Sequence, residues 1–468
     1  MATACLPARR GAGRNSVDQP AGSPPVARKR ILSPRRVRAY RRLRRSPLLS
    51  LRLWKRRLAF WVGAILVSLV AIAFAWTANL GDAVFHRGLE ISPYLALAIT
   101  PAGLAISVLL TRHVFPGAQG SGIPQVIASL EMNDPDKIRS VLSLRVAAGK
   151  VVLTLLGLAS GASIGREGPT VQVGASIMQA LGQALALPRL AEQRALVLAG
   201  GAAGIAAAFN TPLAGIVFAI EELSRSFEHR TSGVVLTAVI IAGISTLALM
   251  GNYTYFGVTS SVLPIGVGWL AVLICAVAGG LAGGLFSQTL LTAARGLPGW
   301  AGRFVVKRPV AFAALCGLAL ALLGLASDGA TYGTGYAQAR DLVAGQSNLP
   351  EKFFLLKFLA TIVSYCSGIP GGIFAPSLAV GAGLGRTIAH LLPSAPPGAV
   401  VLLGMVAYFS GVVQAPITAA VIVMEMTDNQ AMTIPLMATS FLAFGVSRLV
   451  CRRAIYGALA RRFLRAME

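Results

Sequence analysis

Three stretches of this 468-residue sequence share one grammar: Gly120-Ser121-Gly122-Ile123-Pro124, Gly165-Arg166-Glu167-Gly168-Pro169, and Gly371-Gly372-Ile373-Phe374-Ala375-Pro376. Glycine permits unusual backbone angles, and proline suits the first turn of a helix, where a missing N–H costs nothing. Each stretch opens onto mainly apolar sequence: Gln125 to Leu130, Thr170 to Leu187 and Ser377 to Leu392. The pattern predicts three helices that begin within a membrane and turn unpaired N–H groups, with their partial positive charge, toward one place. Such helix starts attract anions, and transporters commonly set half-helix N-termini near the bilayer midplane. One Gly-Ser-Gly or Gly-x-Phe-x-Pro alone is weak, because loops produce it; three embedded in apolar sequence point to an anion site.

Glu167 is the most informative acid. A carboxylate at a membrane helix start is expensive unless it is paired or functional. The N–H groups that cap it would also bind an anion, so carboxylate and anion compete for one position. Protonation removes the charge and frees the side chain, which makes a gate coupled to protons. Its neighbour Arg166 needs a side-chain partner that the sequence does not name.

The elements that must hold these residues are membrane helices. The chain is 55% hydrophobic and 13% charged, with mean hydropathy +0.69, whereas soluble domains carry about 25% charged residues. The windows Leu58 to Asn79, Ile91 to Leu110, Val235 to Met250, Val310 to Ala326 and Pro435 to Val450 cross or nearly cross about 30 Å of hydrocarbon. Alternating barrel patterning is absent, so an all-α polytopic bundle is expected, packed through small residues such as Gly279, Gly280, Ala282, Gly283 and Gly284. Residues 1–57 hold 17 Lys and Arg against the single acid Asp18, or +16 of the formal net charge of +25. Because this run abuts the first apolar span, it reads as a cytoplasmic retention signal and not as a nucleic-acid site. Arg452, Arg453, Arg461, Arg462 and Arg465 after the last span agree, so both termini are expected in the cytoplasm. Residues 1–34 lack a signal-peptide pattern and read as disordered, and residues 38–57 read as an amphipathic surface helix. The five cysteines, Cys5, Cys275, Cys316, Cys366 and Cys451, form no C-x-x-C pair and read as small core residues.

In order and spelling, the three motifs resemble those of the CLC chloride channel and transporter family, GSGIP, GREGP and GxFxP, and the likeness runs from about Leu58 to the C-terminus. It implies a CLC-type fold of tilted, partly discontinuous helices in two inverted-topology halves. The implied organisation is a basic segment at 1–57, a first transmembrane half at 58–230, a second at 231–450 repeating from about 262, and a C-terminal helix at 451–468. By the same likeness, chloride would be held by the hydroxyls of Ser121 and Tyr456 and the N–H groups of Ile373 and Phe374. Gly120, Gly122, Arg166, Gly168 and Ala375 would line the path with backbone. Glu167 would be the external proton gate and Glu222, in Ile220-Glu221-Glu222-Leu223, the internal proton carrier, with Glu221 structural. Lys150 matches a buried basic residue that adds positive potential; a snorkelling lysine is the equal alternative.

The resemblance further implies a homodimer in a bacterial inner membrane, exchanging chloride for protons with no cofactor and no metal. Glu222 argues against a passive chloride channel, where an uncharged residue is usual. Ser121 and Tyr456 together argue against a fluoride exchanger, and Ser121 against nitrate selectivity. Gln125 and Ile127 depart from the family pattern, since related exchangers often carry acids there, which puts the inner proton entrance in question. Eukaryotic relatives generally continue into regulatory domains, and the stop at Glu468 reads as prokaryotic. An enzyme is disfavoured: Gly381-Ala382-Gly383-Leu384-Gly385 follows a proline-started helix and not a strand, and none of the four histidines lies in H-E-x-x-H.

Overall fold

The computed structural model describes residues 51–467 apart from 187–189, 225–231, 252, 265, 267, 297 and 347–348. The expected disorder of residues 1–34 and most of the surface helix expected over 38–57 lie outside the described residues. From Leu51 onward the chain is helical. In chain order the helices are α1 (Leu51–Ile91), α2 (Ala96–His113), α3 (Ile123–Glu131), α4 (Pro135–Val141), α5 (Leu144–Ala159), α6 (Glu167–Ala184), α7 (Leu190–Phe209), α8 (Pro212–Phe218) with a π-helical extension Ala219–Ser224, and α9 (Ser232–Met250). After it come α10 (Gly268–Arg295), α11 (Gly299–Lys307), α12 (Pro309–Leu325), α13 (Tyr336–Val343), α14 (Phe353–Cys366), α15 (Phe374–Leu391), α16 (Pro397–Val413), α17 (Pro416–Thr427), α18 (Thr433–Val450) and α19 (Ile455–Met467). Residues 51–57 are continuous with the first span and do not form a separate helix.

Helix lengths explain the architecture. Among the described residues, five segments are long and apolar enough to cross a bilayer, including Arg57–Ile91, Gly268–Arg295 and Gln430–Val450, while Phe353–Cys366 and Pro416–Thr427 are apolar but shorter. At 1.5 Å per residue, the 12 residues of α17 reach only about 18 Å, so such helices must stop inside the protein. The largest core cluster joins α3 and α6–α8 to α10 and α14–α19 through residues such as Phe209, Phe218, Phe374, Phe409 and Tyr456.

The two halves exchange helix caps. Asn210 and Gln414 both take left-handed φ, 56° and 60°, and each precedes a proline-started helix, α8 at Pro212 and α17 at Pro416. The acid at the far end of each segment then caps the start of the other. Glu425 accepts from Leu213 N at 3.1 Å and Ala214 N at 2.7 Å. Glu221 accepts from Ile417 N at 3.2 Å, and from Thr418 N and Oγ1 both at 2.7 Å. Two equivalent segments running in opposite directions make this reciprocity possible, and it fixes the turn that carries Glu222. Glu221→Ala or Glu425→Ala leaves two N–H groups without an acceptor, at a cost of about 1–3 kcal/mol. Each is expected to lower the melting temperature in detergent by several degrees, and Glu221→Ala to leave Thr418 Oγ1 unpaired as well; tryptophan-fluorescence melts check this.

Candidate anion site at three interrupted helices

Backbone pairing brings the three motifs together. Gly165 and Gly372 exchange both of their backbone hydrogen bonds at 2.7 Å as an isolated antiparallel bridge, and Gly371 N donates to Gly120 O at 3.2 Å. Glycine serves two different purposes here. Gly120 and Gly122 sit at φ 65° and 101°, where a side chain is strained. Gly165, Gly168, Gly371 and Gly372 have ordinary φ, so the expectation of unusual angles holds only in the first motif. The second and third need room instead: a Cβ on Gly168 would strike Ser121 Oγ, and one on Gly372 would lie 3.1 Å from both Gly165 O and Gly168 N. The helices begin slightly earlier than the prolines suggest, α6 at Glu167 and α15 at Phe374. Their first-turn N–H groups have no acceptor within their own helices.

Ser121 and Tyr456 face this point. Tyr456, near the start of α19, is wholly buried, with its ring 5.8 Å from that of Phe374. Phe374 in turn packs against Phe209 at 6.0 Å, Phe218 at 5.9 Å and Phe409 at 4.8 Å. The Ser121 and Tyr456 hydroxyls are close enough to interact, yet neither completes a hydrogen bond with protein. A buried polar group left in that condition costs about 1–3 kcal/mol. Glu222, 1% exposed on the π-helical turn, lies within electrostatic range of Tyr456; π-helical turns recur at functional positions.

Glu167 is fully buried. Its Oε1 accepts from the Tyr336 hydroxyl at 2.6 Å, whereas Oε2 has no hydrogen-bond partner and crowds Gly165, whose Cβ position is 3.3 Å from Ala375 N. The carboxylate thus sits beside the starts of both α6 and α15. Arg166 points the other way and finds its partners on distant elements: Ala75 O at 2.6 Å and Asn79 Oδ1 at 3.0 Å on α1, and Tyr255 Oη at 2.8 Å. Its guanidinium also lies 5.6 Å and 5.9 Å from the ring centroids of Tyr255 and Tyr336, which stack on each other at 5.0 Å.

Two buried lysines hold the loops from behind. Lys150 does not snorkel: it is wholly buried and donates to Gln119 O at 3.2 Å and Gly120 O at 2.8 Å. Gln125 clasps the same loop, accepting from Gly122 N at 3.1 Å and donating to Gln119 O at 2.6 Å. Ile127 is a core residue. Lys357 donates to the carbonyls of Thr331 at 2.9 Å, Tyr332 at 3.3 Å and Gly333 at 2.8 Å, just ahead of Tyr336. Sequence reasoning missed Tyr336, Tyr255 and Lys357. Two signals were available, a lysine inside the apolar run Phe353–Cys366 and another glycine-started helix after Gly333-Thr334-Gly335, where Gly335 takes φ 84°.

Comparison with known proteins agrees with this geometry. Residues 102–448 match the family described as voltage gated chloride channel. The chain is 31% identical over 443 residues to the H(+)/Cl(-) exchange transporter ClcA of Yersinia pestis and of Yersinia pseudotuberculosis, covering 86% of this chain and 89% of each relative. A slow cyanobacterial Cl-/H+ antiporter of known structure aligns with TM-score 0.76 at 27% identity, over 88% of this chain and 98% of the other. A CLC-type fluoride/proton antiporter aligns with TM-score 0.74 at 24% identity, over 87% and 98%, and speaks for the fold alone. An all-α, multi-pass membrane protein with helices interrupted around a buried polar point is the class that these observations define. The chain belongs to the voltage-gated chloride channel family, CLC.

Arg166→Met removes the donor to three acceptors, of which the Ala75 carbonyl is buried. The expected loss is at least about 2 kcal/mol, against about 1 kcal/mol for Tyr255→Phe, which deletes one acceptor; paired thermal melts in detergent give the ranking.

Proposed function

We propose that this protein is a secondary active transporter that exchanges chloride for protons. Chloride binds between the hydroxyls of Ser121 and Tyr456 and the N–H groups of Ile373 and Phe374. Gly120, Gly122, Arg166, Gly168 and Ala375 line its path with backbone. Glu167 occupies the outer part of that path when charged and leaves it when protonated, and Glu222 carries the proton on the inner side. The observation that carries this reading is the convergence of Ser121 Oγ, Tyr456 Oη and Glu167 Oε2, all buried and without hydrogen-bond partners, on the starts of α6 and α15. Neutral O–H and N–H donors suit a transported halide because they hold it weakly enough to release it, and helix starts add a favourable partial charge. Lys150 contributes positive potential while its ammonium stays engaged with carbonyls.

The names of the relatives, an H(+)/Cl(-) exchange transporter and a Cl-/H+ antiporter, support the same assignment. A passive channel gives no reason for a buried carboxylate at 222. The proposal is of a transporter and not an enzyme, working without cofactor or metal. It extends to a homodimer in a bacterial inner membrane with both termini in the cytoplasm, for which the excess of Lys and Arg at the two ends is the support.

Purified protein in liposomes under a chloride gradient tests it. Glu167→Gln is expected to give chloride flux that no longer depends on pH and pumps no protons, and Glu222→Gln to keep chloride flux while losing proton pumping. Unchanged proton pumping in either variant defeats its assignment. Tyr336→Phe, which removes the donor to Glu167 Oε1, is expected to speed chloride turnover by up to roughly ten- to a hundredfold, the range that one charge-assisted hydrogen bond of about 1.5–3 kcal/mol supports; chloride efflux rates read this directly.

A further inference from the structure

We propose that the groove between the C-terminal end of α2 and the start of α12 is a specific site for an anionic phospholipid, with the headgroup phosphate held by Arg112, Lys307 and Arg308. The groove has a volume of about 870 Å³. Its polar lining comes from Arg112 and His113 in the last turn of α2, Lys307 at the end of α11, and Arg308 at the joint with α12. The rest of the lining is Ala105, Pro309, Val310, Ala311 and Ala314, and no acidic side chain among the described residues contributes to it. Nor does any described carboxylate lie within ion-pair range of Arg112, Lys307 or Arg308. Cations flanking a membrane helix ordinarily extend separately into water. Here cations from separate helices instead converge on one cleft.

The apolar part of the groove fits the remainder of a lipid. Helices α2 and α12 cross closely because residue 317 is glycine: a Cβ there would fall 2.5 Å from Pro101 Cα. On the same two helices Leu109, Leu315 and Leu318 are 44%, 54% and 41% exposed, and Ala105, Ala311 and Ala314 line a shallow alanine channel within the groove beside the cations. Helix α11 places this end of the groove at headgroup level, since Trp300 and Val306 are 77% and 75% exposed beside Arg303 and Lys307; tryptophan and cations together mark the membrane interface. A second cavity, of about 460 Å³, shares Arg112 and Pro309 and continues to Gln119 and Ser367. Arginine grips phosphate through paired N–H donors, and basic pockets between membrane helices favour anionic headgroups. A free phosphate ion would satisfy the cations but would leave the alanine channel without a role.

The test uses the full-length protein, delipidated in a neutral detergent and titrated with dioleoyl-phosphatidylglycerol, dioleoyl-phosphatidylcholine or inorganic phosphate, with bound ligand counted by native mass spectrometry. The expected result is saturable retention of phosphatidylglycerol at least tenfold above phosphatidylcholine, reduced at least tenfold in the triple variant Arg112→Gln/Lys307→Gln/Arg308→Gln. Ala311→Trp keeps every charge and fills the channel; it is expected to lose the lipid equally, and it serves alone if the triple variant does not fold. Equal retention of the two lipids, unchanged phosphatidylglycerol binding in Ala311→Trp, or inorganic phosphate that displaces the lipid at equal concentration each overturns the proposal. Because the readout is bound lipid and not flux, the outcome is independent of the transport assignment.

Discussion

The pair of hydrogen bonds between Gly165 and Gly372 is the contact around which the centre of this protein is organised. Lipid offers no partner to an exposed peptide group, so a helix that breaks inside the membrane needs protein to satisfy the break. Here the interruptions satisfy one another: Gly165 with Gly372, and Gly371 with Gly120. Once the loops are tied in this way, the starts of α3, α6 and α15 have to face a common point. The same economy recurs farther out, where Glu221 and Glu425 each finish a helix that belongs to the opposite half.

Basic side chains surround the site without entering it. Lys150 is engaged by the carbonyls of Gln119 and Gly120, Lys357 by those of residues 331 to 333, and Arg166 by Ala75, Asn79 and Tyr255. What remains facing the centre is a set of neutral hydroxyls, the first N–H groups of two helices, and one carboxylate. That division gives the region positive character while keeping any single contact to an anion weak. Phe374 makes the backbone part rigid, since its ring is enclosed by Phe209, Phe218, Phe409 and Tyr456.

The sequence was most legible where chemistry is local. Glycine followed within a few residues by proline marks a helix start, and apolar length marks a span, so the all-α fold and the three interrupted helices could be read directly. Contacts between distant segments were not legible. Tyr336 reaches Glu167 across 169 positions, and Arg166 reaches Tyr255 across 89, and neither pair leaves a trace in spacing. Glycine was read correctly as special but with one reason too few, because left-handed φ and close approach look identical in a sequence; within the three motifs only Gly120 and Gly122 have the first. Gln125 looked like a missing acid, whereas its amide both donates and accepts within one loop, a combination that a carboxylate cannot supply when ionised.

The contacts of Arg166 bear on how the chain is assembled. A guanidinium entering a bilayer during synthesis carries a penalty of about 2.5–3.5 kcal/mol at the centre of a helix. Its acceptors at Ala75 and Asn79 lie 91 and 87 positions earlier, so they are synthesised before it, and only Tyr255 comes later. The order of translation therefore supplies two of the three acceptors before the guanidinium that uses them.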